Sequence, residues 1–273
     1  KEFRIVLAFT IGFLALLILN LFITGRNFSE NFYGLSGRNT GILTYISLII
    51  LMFASSLISS TKFVGTFRNA LFAIGVFLFI YGCFQFAGLE PFPYVNVYAN
   101  NVFGTFGNPN FQSAFMGVVA AVAFTLVVLG SGSYKKRFGL SILTILAVYN
   151  ISQSSQQGYF SFAGGLMAAI IVFFFTSKKP IYGWLVLVAS GIATTFLFLG
   201  ILNTGPLADF LYKSSLMARG FYWQAAINMM LEHPLFGVGM DGFGDSYFRF
   251  RTSKIALYNL SISADSAHSV PLD

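Results

Sequence analysis

Charge is what this chain has least of. Asp, Glu, Lys and Arg together make up 9% of its 273 residues, against roughly a quarter in ordinary globular proteins, which excludes a soluble domain with a solvated surface. A single cysteine, Cys83, excludes an internal disulfide; lying in an apolar stretch, it reads as a small buried apolar residue. No His-Glu-x-x-His, no Cys/His cluster and no carboxylate set at ligand spacing occurs, so neither a metal site nor a cofactor is expected. Internal repeats are missing too, which leaves inverted-repeat transporter architecture without support.

What fills the chain instead is apolar. Hydrophobic residues reach 56% with 34 Phe, and the mean hydropathy of +0.75 belongs to an integral membrane protein. A bilayer core roughly 30 Å thick takes about 20 apolar residues as helix. Seven stretches qualify: Ile5–Thr24, Gly41–Ser60, Asn69–Gly88, Phe111–Gly130, Phe138–Ser152, Gly158–Thr176 and Ile181–Leu202. They are continuously apolar rather than alternating, which excludes a barrel. None of their cores holds Asp, Glu, Lys, Arg or His, and this argues against a proton pump or an ion-coupled transporter. The expected fold class is all-α: a polytopic membrane helix bundle of about seven transmembrane helices over residues 1–203, then a large outer loop over residues 204–273 that contains a helix.

A net charge of +7 in a soluble protein would point to nucleic acid. Here the basic residues fall in short connections, so topology explains them and no nucleic-acid partner is expected. Lys1, Arg4, Lys62, Arg68, Lys135, Lys136, Arg137, Lys178 and Lys179 share one side, while the short loops of the other carry only Arg26 and Arg38. The first side is therefore cytoplasmic. An odd number of crossings puts the segment after Asn203 outside, together with Glu90–Asn110 and the turn Gln153–Gln157. The start without Met and the end within a loop read as a fragment.

The chemically capable side chains gather in these outer segments. Ser214–Leu231 reads as a helix, with Ser214 or Ser215 as N-cap and Pro234 enforcing the stop. Arg219 and Trp223, four apart, share one face of it. They form either a cation–π pair on an interfacial helix or an Arg fork that grips a phosphate beside the membrane. His233, at the helix end before Pro234, reads as structural. His268 lies in irregular chain beside Asp265 and Ser266, as a surface residue or as a base for an acceptor hydroxyl. Gly237-Val-Gly239-Met-Asp-Gly242 has the spacing of a dinucleotide fingerprint, but no strand precedes it, and a tight turn passing close to the membrane domain fits better. Asn108 and Asn110, at a helix entrance, cap that helix or bond a sugar or diphosphate; Gln156 and Gln157 form an uncharged polar turn.

In their order along the chain these pieces resemble the O-antigen ligase and O-antigen polymerase superfamily, which includes the bacterial protein O-oligosaccharyltransferases. The resemblance rests on Gly107-Asn-Pro-Asn110 before a span, Arg219-x-x-x-Trp223 with Ala226, Pro234-x-x-Gly237-x-Gly239 with Phe243, and Ala267-His268-Ser269. It runs from about Gly88 onward and implies a multi-pass protein of the bacterial inner membrane with its active face periplasmic. It also implies glycan transfer, metal-independent and inverting, from undecaprenyl diphosphate to an acceptor hydroxyl of lipid A core, a glycan or a protein. Arg219 would then hold the leaving diphosphate and His268 would activate the acceptor. Asn108, Asn110, Gln156, Gln157, Trp223, Arg249 and Arg251 would complete substrate binding, with membrane lipid as surroundings. One departure stands out. Ligases often carry an Arg where this chain has Gln156 and Gln157, and neutral amides bind diphosphate more weakly, so Arg249 or Arg251 is the candidate to compensate. The alternatives are a transporter or flippase of lipid-linked or amphipathic substrates, and a non-catalytic scaffold. The residues do not separate the possible acceptors or glycans.

Overall fold

The computed structural model describes residues 2–36, 38–58, 61–90, 101–130, 132–212, 214–253, 263–269 and 272. Lys1 and residues 91–100 of the Glu90–Asn110 loop lie outside them. The helices in chain order are α1 (Glu2–Ile23), α2 (Phe28–Tyr33), α3 (Ile42–Ser56), α4 (Thr61–Phe86), α5 (Pro109–Leu129), α6 (Tyr134–Ser154), α7 (Gln157–Thr176), α8 (Pro180–Ile201), α9 (Ala208–Leu211), α10 (Ser214–Glu232) and α11 (Phe243–Phe250). No strand occurs among the described residues, and the protein is an all-helical polytopic membrane protein.

Every apolar stretch is helical, but not all are alike. Five helices (α1, α4, α5, α7 and α8) are long and apolar enough to cross a membrane. The other two depart from the expectation for physical reasons. α3 stops at Ser56, 15 residues long, because Ser55 and Ser56 turn their hydroxyls back onto the carbonyls of Met52 and Phe53 and so compete with continued helix. α6 has the length, yet it carries Lys135, Lys136 and Arg137 at its start and Asn150, Gln153 and Ser154 at its end. Large apolar side chains on the spanning helices face outward, Phe9 at 78% and Phe22 at 75% exposure, as lipid-solvated helices allow. Cys83 is exposed on α4 rather than buried.

The chain divides into two compact units, residues 60–195 and residues 1–59 with 196–273. In the unit of residues 60–195, α5 is the central helix, packed against α6 and α7, and its buried face runs through Gln112, Met116, Val119, Ala120 and Ala123. Small residues let backbones touch, as in membrane helix pairs generally: a Cβ on Gly117 would stand 2.4 Å from the Gly158 carbonyl, and one on Gly158 2.5 Å from the Ser113 carbonyl. Gly158→Val is therefore expected to force α5 and α7 apart at a cost of about 1–3 kcal/mol. A fall in thermal midpoint in detergent would report it; an unchanged midpoint would contradict this packing.

The unit of residues 1–59 and 196–273 holds α1 against α3 through edge-on ring pairs, Phe3 with Phe53 and Phe13 with Tyr45. Its other core is the pairing of α10 with α11 around Ala225, Ala226, Met229, Phe243, Tyr247 and Phe250, closed by Ala264 and Ala267. α11 buries Phe243, Tyr247 and Phe250 at helical spacing and leaves Asp245, Phe248 and Arg249 outward.

Candidate active site

α10 is the element that presents the expected arginine. It spans Ser214–Glu232, one residue longer than the sequence reading, and stops just before Pro234, which cannot continue a helix. The side chains of Ser214 and Ser215, the expected caps, lie outside the described ones. Ala225 and Ala226 face the α11 core, which leaves Arg219, Tyr222 and Trp223 half-buried on the turns before them. The cation–π pairing of Arg219 with Trp223 is not present. Among the described residues Arg219 makes no hydrogen bond and no ion pair. The Trp223 indole nitrogen is buried with no hydrogen-bond partner among the described residues.

His268 comes to the same face from the far end of the chain. Its ring packs on Tyr222 at 5.8 Å between centroids, tilted by 45°. Tyr222 follows Arg219 by three residues, a spacing that makes the two side chains neighbours, about 5–6 Å apart at Cβ. His268 thus packs on a residue one helical turn after Arg219. Behind it Tyr222 meets the fully buried Tyr247, with rings 5.8 Å apart. Burial pushes the Tyr247 phenol above its ordinary pKa, Tyr222 adds to the rise and Arg251 opposes it, so this hydroxyl stays neutral.

The His268 backbone is held in an unusual state. Its φ is 52°, a left-handed conformation uncommon outside glycine. Its N–H donates to the Ser266 hydroxyl at 3.3 Å, while Ser266 and Ala267 are buried. The imidazole itself is exposed, and neither ring nitrogen bonds another described residue. The side chain is therefore held by its backbone and by Tyr222.

The candidate compensating arginines are otherwise engaged. Arg249 pairs with Glu232 and lies over the Phe250 ring at 5.1 Å, while Arg251 lies over Phe248 at 4.7 Å. His233 meets Phe250 edge-on at 6.2 Å, a packing role. Gly239 makes the close approach expected of its turn: with φ of 91°, a Cβ there would stand 2.5 Å from Arg26 Cδ.

Two arginines that sequence reading used only for orientation tie down the segment after Asn203. Arg26 Nη2 bonds Asp245 Oδ2 at 2.7 Å and Glu30 Oε2 at 3.2 Å, and Asn20 Nδ2, near the end of α1, donates to the Phe236 carbonyl at 2.9 Å. Arg38 meets Asp241 and Asp265. Arg38, Asp241 and Asp265 also line a cavity of about 460 Å³ with Ala226, Met229 and His233. Arg219 and His268 are not part of that lining.

In the unit of residues 60–195 two polar segments meet. Val102 N–H donates to the Gln153 carbonyl at 2.9 Å, and the Ser155 hydroxyl donates to Asn110 Oδ1 at 2.6 Å. Asn108 Oδ1 caps α5 by accepting from Asn110 N–H at 2.8 Å. The side-chain carbonyls of Asn108 and Asn110 are thus used within the fold. Gln156 and Gln157 are exposed at the head of α7.

Residues 139–273 match the family described as O-Antigen ligase. The match takes in Gln156, Gln157, Arg219, Trp223, Arg249, Arg251 and His268 and leaves Asn108 and Asn110 outside. No curated protein and no solved structure matches the chain.

Proposed function

Because the chain belongs to the O-antigen ligase superfamily, whose role is glycosyl transfer at a membrane in surface-polysaccharide synthesis, we propose that it moves a glycan from undecaprenyl diphosphate to an acceptor hydroxyl. The observation that supports the reading is the α10 face itself: Arg219, with no hydrogen bond or ion pair among the described residues, lies three residues before Tyr222, on whose ring His268 packs. In the reaction the acceptor oxygen attacks the anomeric carbon as the carbon–oxygen bond to the diphosphate breaks. The acceptor proton passes to His268, and undecaprenyl diphosphate leaves with its negative charge on Arg219. Attack opposite the leaving group inverts the anomeric centre. The donor is already activated, so the protein need only stabilise the departing charge and take one proton. The segment carrying both residues faces the periplasm of a bacterial inner membrane in this reading, and the apolar faces of the spanning helices accommodate the polyprenyl tail.

The test is transfer by the purified protein in nanodiscs, supplied with a radiolabelled glycan on undecaprenyl diphosphate and, in separate arms, lipid A core, a second glycan chain or an acceptor protein. One arm is expected to gain label in an inverted linkage with stoichiometric release of undecaprenyl diphosphate. Movement of donor across proteoliposomes with no covalent product in any arm would make the protein a translocator instead.

A further inference from the structure

We propose that Arg38 is a positioning residue for His268, acting through Asp241 and Asp265 from outside the segment that matches the O-antigen ligase family; this rests on the function just proposed. Asp241 is the anchor. Its side chain is 2% exposed, and a carboxylate so buried needs compensating donors. Those donors come from the loop between α2 and α3: Leu35 N–H at 2.9 Å, Thr40 N–H at 3.2 Å and the Thr40 hydroxyl. Arg38 Nε adds the ion pair at 3.3 Å. Gly34 makes the arrangement possible, since with φ of 87° a Cβ there would stand 2.6 Å from Asp241 Oδ2.

Held in this way, the guanidinium turns its other edge outward. Arg38 Nη1 donates to the backbone carbonyl of Asp265, while the Asp265 carboxylate stays 3.9 Å away and largely in solvent. The grip is therefore on the main chain, three residues before His268. Between grip and imidazole, Ser266 and Ala267 are buried, and His268 adopts its left-handed φ of 52°. Such a conformation persists only where the surroundings over-determine it. Arg38 supplies that constraint on one side and the Tyr222 ring on the other. Its fork serves two acceptors at once, which a lysine ammonium on a flexible stem does not.

The experiment compares Arg38→Gln and Arg38→Lys with the unaltered full-length chain, in two readouts. In the transfer assay kcat is expected to fall about tenfold to a hundredfold, the scale of a small misplacement of a reacting group, with the KM for the undecaprenyl-diphosphate donor unchanged. Amide hydrogen exchange across residues 263–269 is expected to rise in both variants, with residues 109–129 unaffected. Full kcat in Arg38→Lys, a raised KM with normal kcat, or exchange matching the unaltered chain would each overturn the clamp. The exchange readout needs no activity. If His268→Ala still transferred glycan, the proposed function would fall while exchange judged the clamp on its own.

Discussion

His268→Ala is expected to lower kcat for glycan transfer by about 10²- to 10⁴-fold, the range of a lost general base, while donor binding is retained. The separation follows from where the imidazole sits. It is exposed, its nitrogens bond no other described residue, and its ring packs on Tyr222. Its removal therefore leaves no buried partner unsatisfied, and the α10–α11 core of Ala225, Met229 and Tyr247 does not depend on it. A stable, membrane-inserted, donor-binding and inactive protein is the predicted phenotype. Thermal midpoint, donor binding and turnover measured on one preparation check all three, and normal turnover would remove the proposed chemistry.

Arg219→Ala is expected to cost about 10²- to 10³-fold in kcat, the scale for losing one donor to a developing anion, and to weaken binding of undecaprenyl diphosphate. Arg219 is half-buried on α10 and has no acidic neighbour among the described residues, unlike Arg26, Arg38 and Arg249, each held by carboxylates. An arginine already neutralised offers little to a diphosphate; an unpaired one offers its whole fork. Arg219→Lys keeps the charge but loses bidentate geometry, so it should stay about tenfold or more below the unaltered chain. Turnover equal in Arg219→Lys and the unaltered chain would mean that the site reads charge alone.

The long helices were legible because lipid and backbone demand the same thing of each. An uninterrupted apolar run must satisfy its own hydrogen bonds as helix, which made the existence of α1, α4, α5, α7 and α8 readable, although α4 begins at Thr61, eight residues before the expected Asn69. α10 was equally plain, with Pro234 as its stop. The end of α3 was not, since serines at 55 and 56 count as tolerable in a hydropathy run while their hydroxyls compete for its carbonyls. Arg219 and His268 were singled out by motif, but Tyr222, on whose ring His268 packs, was passed over as one aromatic residue among many. Arg38, Asp241 and Asp265 escaped for a different reason. Their bonds join loops 201 to 227 residues apart, and nothing local announces a partner at that distance. The one available signal was that Arg26 and Arg38 were the basic residues of the short loops read as outer, where charge is otherwise scarce.

The most direct measurement is an electron-density map of the full-length protein with undecaprenyl diphosphate bound. The diphosphate should lie within about 3 Å of the Arg219 guanidinium, with the sugar-bearing end turned toward His268 across Tyr222. A diphosphate seated away from α10, or an imidazole facing away from the lipid carrier, would contradict it.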